Sequence, residues 1–257
     1  MSEEKNIASE SGHYYYPDGR PAYTIIGKNG KERATTLREC KSLGLFPSVT
    51  TVLNILAKPG LERWKLNQVL LSAMTLPINT ERVETLDEYA ARVIEDAAEQ
   101  GHAAAERGTQ IHGSIERMFQ GLMYPPEDAP FVEAILHALD PIGHFEWAAE
   151  KSFAATEGYG GKVDLHTASG RGIVIDFKGK DFTRDTPESK LVWPEQGYQL
   201  AAYRRGLGLP GAECYSIYFA RNTPGLAITY RWPEAKLQGG EEIFMATLKL
   251  WKLIKGV

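Results

Sequence analysis

The stretch that decides the fold is Lys162-Val163-Asp164-Leu165, followed across Ala168-Ser169-Gly170-Arg171 by Ile173-Val174-Ile175-Asp176-Phe177-Lys178. Alternation at period two sets Ile173, Ile175 and Phe177 on one strand face and Val174, Asp176 and Lys178 on the other. A hairpin symmetric about Gly170 carries Asp164 across from Asp176, each being six residues from the turn. Directly opposed residues have Cβ atoms roughly 4.5–5.5 Å apart. Two ionised carboxylates that close repel each other unless a proton or a cation lies between them. Asp is also a poor strand former, so two of them in apolar strands break the local rule. A divalent cation resolves that conflict, and oxygen ligands suit Mg²⁺ or Mn²⁺. An Asp-Lys pair alone suits a solvent-facing strand equally well; the opposed Asp164, with Gly160-Gly161 opening space before it, is what points to a site.

Upstream of this hairpin the texture is helical. Pro47-Ser48 opens a segment Val49–Leu56 that Pro59-Gly60 stops. A second helix carries Leu61, Trp64, Leu66, Val69, Leu70 and Met74, and Asp87–Arg107 is rich in Ala and Glu, which favours helix. Gly108 punctuates the pattern, so a new helix is expected over Thr109–Gln120 and another over Ala129–Leu139. Strands are expected at Phe145–Thr156, Lys162–His166, Gly172–Lys178, Cys214–Ala220 and Ala227–Trp232, with helices at Trp193–Leu207 and Glu234–Lys255. Before all of these, residues 1–45 are polar and Gly-rich, with His13-Tyr14-Tyr15-Tyr16 ahead of a turn and a short hairpin at Tyr23–Ile26. The order predicts an α/β fold, a central mixed sheet flanked by helices with a helical N-terminal region, in one domain: 1–46 polar, 47–141 helical, 142–257 the sheet-bearing core.

Composition narrows the partners. Among 257 residues, 29 Lys and Arg stand against 33 Asp and Glu, a net charge of −4 that argues against coating nucleic acid by bulk charge. It leaves room for a local basic groove. The two cysteines, Cys40 and Cys214, are too few for a four-cysteine iron–sulfur cluster or a Cys-rich zinc site and suit a reducing compartment. The N-terminal Met-Ser-Glu-Glu-Lys resembles no secretory or transit signal, and no apolar run approaches the ~18 residues of a membrane span. The expectation is a soluble, cytoplasmic protein.

Two further constellations lie on helices. His112 and Glu116 stand at i, i+4, sharing a face with Thr109, opposite an apolar stripe of Ile111, Ile115, Met118 and Leu122. Imidazole is a frequent ligand and would complete a carboxylate site, although such a pair is often only a surface hydrogen bond. Gln199 and Tyr203 repeat the spacing, an amide and a phenol on one helix face.

Jointly, Gly108-Thr109-x-x-His112, Gly161-x-x-Asp164, Asp176-Phe177-Lys178 and Gln199-x-x-x-Tyr203 resemble the PD-(D/E)XK nucleases, and among them the RecB-type branch. Pro47-Ser48-Val49-Thr50-Thr51-Val52-Leu53, with Trp64 soon after, is similar to the subgroup of phage exonucleases and the mitochondrial genome maintenance exonuclease. The similarity spans residues 47 to 205. It implies a restriction-endonuclease-like core and a bacterial or phage enzyme of DNA recombination, repair or replication, a Mg²⁺- or Mn²⁺-dependent exonuclease on single-stranded DNA or strand ends. Recombination or replication proteins are the implied partners. By family position His112, Asp164, Asp176 and the Phe177 carbonyl would ligate the metal. Lys178 would activate water and stabilise the phosphorane, Gln199 and Tyr203 would contact the scissile strand or support Lys178, and Glu116 and Glu150 would stand behind the ligands. Two alternatives remain open: a structure-specific or restriction-type endonuclease, and an inactive nuclease-fold protein that binds DNA or a partner.

Between Arg171 and Arg205 seven basic residues meet five acidic ones, a local excess of two against the negative whole. Lys180, Arg184, Lys190, Arg204 and Arg205 are therefore expected to meet DNA, with Phe182 and Trp193 stacking bases from a polar loop. The helical region 61–107 is expected to arch over the strand.

Overall fold

The computed structural model describes residues 13–79, 84–168 and 172–257. Its centre is a sheet of β5 (Trp147–Ala155), β6 (Tyr159–Thr167), β7 (Ile173–Lys180), β8 (Glu213–Ala220) and β9 (Ala227–Arg231), adjacent in that order. Only β7 and β8 run parallel. Between them α6 (Glu188–Leu191) and α7 (Pro194–Gly206) form the crossover that a parallel pair requires. The expected mixed sheet flanked by helices is present.

Strand β7 is covered on both faces at its first half, where Ile173, Val174 and Ile175 are all buried. Ile173, Ile175 and Phe177 pack with Ile111 and Ile115 of α4 (Leu86–Phe119) and with Phe131, Val132, Ile135 and Leu139 of α5 (Ala129–Leu139). Val174 packs on the other side with α2 (Val49–Leu53), α7 and α8 (Glu234–Lys255). Burial on both faces puts each polar group of β7 under strong constraint.

The N-terminal segment, read as polar and loose, holds more structure than its composition suggests. Here β1 (Tyr14–Tyr15) pairs with β4 (Phe46–Pro47), and β2 (Thr24–Ile26) pairs with β3 (Glu32–Ala34). Helix α1 (Leu37–Leu43) starts at a Thr36/Glu39 capping box and ends at Gly44, whose φ of 63° suits glycine. Ser48 Oγ accepts from Thr51 N–H at 3.0 Å and caps α2, after which α3 (Pro59–Thr75) lies against the first half of α4.

Gly108 does not break the helix: α4 runs unbroken for 34 residues. A mid-helix glycine costs ~1 kcal/mol against alanine. That cost is offset around it, where Ile111 and Ile115 are buried and Arg107 reaches buried Asp128 at 2.6 Å. Leu122 lies past the helix end and is exposed, so it is not part of the apolar stripe. The turn at 169–171, including Arg171, lies outside the described residues. No helix among the described residues is long and apolar enough to cross a membrane.

Candidate active site

The hairpin register is the one that symmetry about Gly170 requires. Leu165 pairs with Ile175 and His166 with Val174, which continues to Asp164 opposite Asp176. The backbone ladder stops there. Asp164 turns its carboxylate to the partner strand, and Oδ2 accepts the Phe177 N–H at 2.7 Å. In a strand a residue's N–H and C=O point the same way, so the Phe177 carbonyl also faces this opening. The layers change sides here too: Val163 packs with α2 and α8, Leu165 with α4 and α5. On the neighbouring strand the β5–β6 pairing skips one position, Glu150 opposite Asp164, where Glu150 takes φ 53°. Left-handed backbone in a glutamate is strained, and such strain gathers at functional sites. Glu150, Asp164 and Asp176 thus form one acidic row across three strands.

Lys178 lies two residues along the same face of β7 and puts Nζ 2.6 Å from Asp176 Oδ2. Gln199, from α7, joins the group. Its Oε1 accepts from Lys178 Nζ at 3.3 Å, while Nε2 donates to Asp176 Oδ1 at 3.1 Å and to the Tyr203 hydroxyl at 2.8 Å. The reversed amide would aim NH₂ at an ammonium and oxygen at a carboxylate, so chemistry fixes its orientation. One amide therefore sets the geometry of both the acid and the base of β7.

His112 enters from α4, with Nδ1 3.8 Å from Asp164 Oδ2. Its ring meets Phe219 and Phe177 edge-on at 5.5 Å and 6.3 Å. Burial, and then the Lys178 charge, pull the His112 pKa down to about 4. The imidazole is neutral at pH 7 and keeps a lone pair for a ligand. Burial raises the Asp164 carboxyl, opposed by the Lys178 charge and the Phe177 amide. Asp176 is pushed up to about 6 by burial, with Lys178 opposing and Asp164 adding to the rise. Burial would discharge Lys178, but Asp176 and Asp164 overcome it and hold the ammonium. Burial also keeps the Tyr203 phenol protonated.

Glu116 and Glu150 stand behind this group. Glu116 accepts from Gln120 Nε2 at 2.9 Å, and Glu150 is ion-paired with Lys162. Burial raises the Glu150 pKa to about 7 despite that partner. Thr109 is exposed and bonds back to the Ala105 carbonyl, away from the site.

Among the described residues no three His, Cys, Asp or Glu side chains converge as a metal-holding group. The donor types nevertheless fit a hard divalent cation: the buried Asp176 and half-buried Asp164 carboxylates, a neutral imidazole and a peptide carbonyl. Asp176 Oδ2 is buried, and Lys178 Nζ at 2.6 Å is its neighbour in the structure. A cation and Lys178 Nζ compete for that oxygen.

Several expected DNA contacts lie elsewhere. Arg204 is buried and forks onto Glu234 at 2.8 and 2.9 Å; Arg205 bridges Glu157 and Glu241. Glu234 and Glu241 come from α8, far along the chain from the Arg171–Arg205 segment. Lys180 lies 3.5 Å from the Trp193 ring centre and donates to the Leu191 carbonyl at 2.6 Å, and burial takes its pKa down to about 7. Phe182 is buried and stacks no base. Arg184 and Lys190 are exposed. Sequence reasoning missed Lys162, and it left His13, Tyr15 and Tyr23 away from the site, although Tyr15 packs on Gly160 of β6. The two cysteines are both buried.

No family model matches the chain, and neither does any curated protein. Among solved structures, one described as the crystal structure of SSO0001 is similar over 72% of this chain and 84% of that one, at 13% identity and a TM-score of 0.26.

Proposed function

We propose that this chain is a metal-dependent deoxyribonuclease of the PD-(D/E)XK type, hydrolysing phosphodiester bonds of single-stranded DNA or strand ends in the cytoplasm. The observation that carries this reading is the join of Asp164 to β7 through the Phe177 amide. That join keeps two carboxylates and the Lys178 ammonium in one opening, with Gln199 fixing Asp176 and Lys178 together. A purely structural strand pair has no use for that density of buried charge, since each buried ion costs several kcal/mol.

His112, Asp164, Asp176 and the Phe177 carbonyl would hold Mg²⁺ or Mn²⁺. When bound, the cation supplies charge neutralisation at the phosphoryl oxygens and a more acidic water. Lys178, protonated at neutral pH, orients the attacking water and donates to the negative charge that develops on phosphorus-bound oxygen. Gln199 holds that ammonium in place, and Tyr203 holds Gln199. Glu150 and Lys162 keep the entrance polar. Arg184 and Lys190 are free to meet the backbone phosphates beyond the site, and α3 with the first half of α4 overhangs the strand.

The test is cleavage of end-labelled and circular single- and double-stranded DNA with Mg²⁺, Mn²⁺ or EDTA, alongside Asp176→Ala. The expected result is metal-dependent digestion from free ends that Asp176→Ala abolishes. Cleavage that survives EDTA, or that Asp176→Ala leaves intact, sinks the mechanism. Cutting of closed circles converts the reading to an endonuclease, and DNA binding without cleavage converts it to an inactive nuclease fold.

A further inference from the structure

Strand β6 is flanked closely by two tyrosines just before it reaches Asp164. A Cβ on Gly160 would lie 2.7 Å from the Tyr15 ring, and one on Gly161 would lie 2.8 Å from the Tyr203 ring. Tyr15 is buried, and its hydroxyl shares a hydrogen bond of 2.7 Å with that of Tyr23. The two rings meet edge-to-face at 5.6 Å. Tyr23 in turn stacks on His13, with centroids 4.3 Å apart and planes 31° apart. This row runs from the strand outward and ends in solvent, since Tyr23 is half-buried and His13 exposed.

The outer end is held firmly. The His13 carbonyl accepts from Ser48 N–H at 2.8 Å and from Thr51 Oγ1 at 3.4 Å, which ties it to the cap of α2. Partial desolvation where the ring packs on Tyr23, and secondarily the Lys162 charge, lower the His13 pKa and favour the neutral ring. Lys162 lies two residues from Asp164 on β6. A flat, uncharged, anchored ring with an open face, next to a cation and a few residues from a phosphodiester site, has the form of a base-stacking platform.

We propose that the His13–Tyr23 stack is a nucleobase platform that holds the base of a nucleotide neighbouring the scissile phosphate. The assignment rests on the nuclease reading for which phosphate is cut; strand binding itself does not depend on cleavage. Stacking tolerates any base, so the platform sets strand position and not sequence.

Wild type and His13→Ala are compared on a single-stranded oligodeoxynucleotide and on copies carrying one abasic residue at successive positions. Binding is read by fluorescence anisotropy in EDTA, and kcat/KM with Mn²⁺. An abasic residue at one position weakens wild-type binding roughly tenfold, the scale of one base–aromatic stack. His13→Ala weakens binding of the intact strand by a similar factor and loses the abasic penalty, while His13→Phe restores both. Tight binding of the intact strand by His13→Ala overturns the platform, and so does an abasic penalty that His13→Ala retains in full. A wild type that binds as described but cuts nothing refutes the nuclease reading and leaves the platform standing.

Discussion

The two halves of α4 share one backbone and almost nothing else. From Leu86 to about Arg107 the helix packs mainly on α3, and its buried residues are Val93 and Ala97. Ile94 is 58% exposed there, and facing α3 shows Leu66, Leu70 and Met74 to solvent. From Gly108 onward Ile111 and Ile115 are buried against the sheet, Ser114 is buried on Asp128, and His112 reaches Asp164. The first half relies on local chemistry: the Thr85/Glu88 capping box, and Tyr89 donating to the Ala73 carbonyl at 2.7 Å. The second relies on tertiary burial. Hydrogen-bonding continuity makes a helix, but only burial places one of its side chains to a fraction of an ångström.

Substitutions should separate the halves cleanly. Lys178→Ala, in the site that the second half reaches only through His112, is expected to lower DNA hydrolysis roughly 10²–10³-fold, the scale of one lost charge-stabilising donor; steady-state kinetics on end-labelled strands check it. Ile115→Ala is expected to cost about 3 kcal/mol in urea unfolding, as for other fully buried aliphatics. Ile94→Ala, 21 positions earlier on the same helix, stays within about 0.5 kcal/mol. Equal costs at Ile115 and Ile94 would erase the distinction.

Acidity probes the buried half alone. With Asp176 raised to about 6, activity is expected to fall up to about tenfold per pH unit below that value, as the proton displaces the cation. The sign for stability is opposite. A carboxyl raised in the fold stabilises below its unfolded value and loses that contribution as pH rises through about 6. Mn²⁺ is therefore expected to raise Tm more at pH 7.5 than at pH 5, by differential scanning calorimetry. A smaller effect is expected at Lys180, whose depressed pKa means the unfolded chain binds more protons between about pH 7 and the ordinary lysine range. Wild-type stability rises with pH across that window from this group, and Lys180→Met removes the rise.

A mixed sheet flanked by helices and the register of β6 on β7 were legible because period-two burial and the position of Gly170 state them locally; the strand order and the parallel β7–β8 pair were not, being set by the crossover through α6 and α7. Asp164, Asp176 and Lys178 were legible for the same reason: they violate strand propensity where nothing local explains it. The unbroken α4 was not, because whether Gly108 stops a helix is settled by Asp128 and the sheet, far along the chain. Arg204 and Arg205 misled for a related cause, their carboxylate partners being more than 28 residues away on α8 or, for Glu157, on the β5–β6 turn. The aromatic run at His13 carried no periodicity that tied it to Gly160.

The junction at Arg107 also has a mechanical meaning. There Asp128 holds Arg107 and Ser114, and Arg221 donates to the Ala104 carbonyl, so α4 is clamped near one point along its length. At 1.5 Å per residue the Leu86 end lies about 30 Å from this fulcrum, and His112 about 7 Å on the other side. A rigid tilt of about one degree sweeps the far tip by roughly 0.5 Å but shifts the imidazole by roughly 0.1 Å. A small tilt of the long arm, carried with α3, therefore leaves the histidine on station.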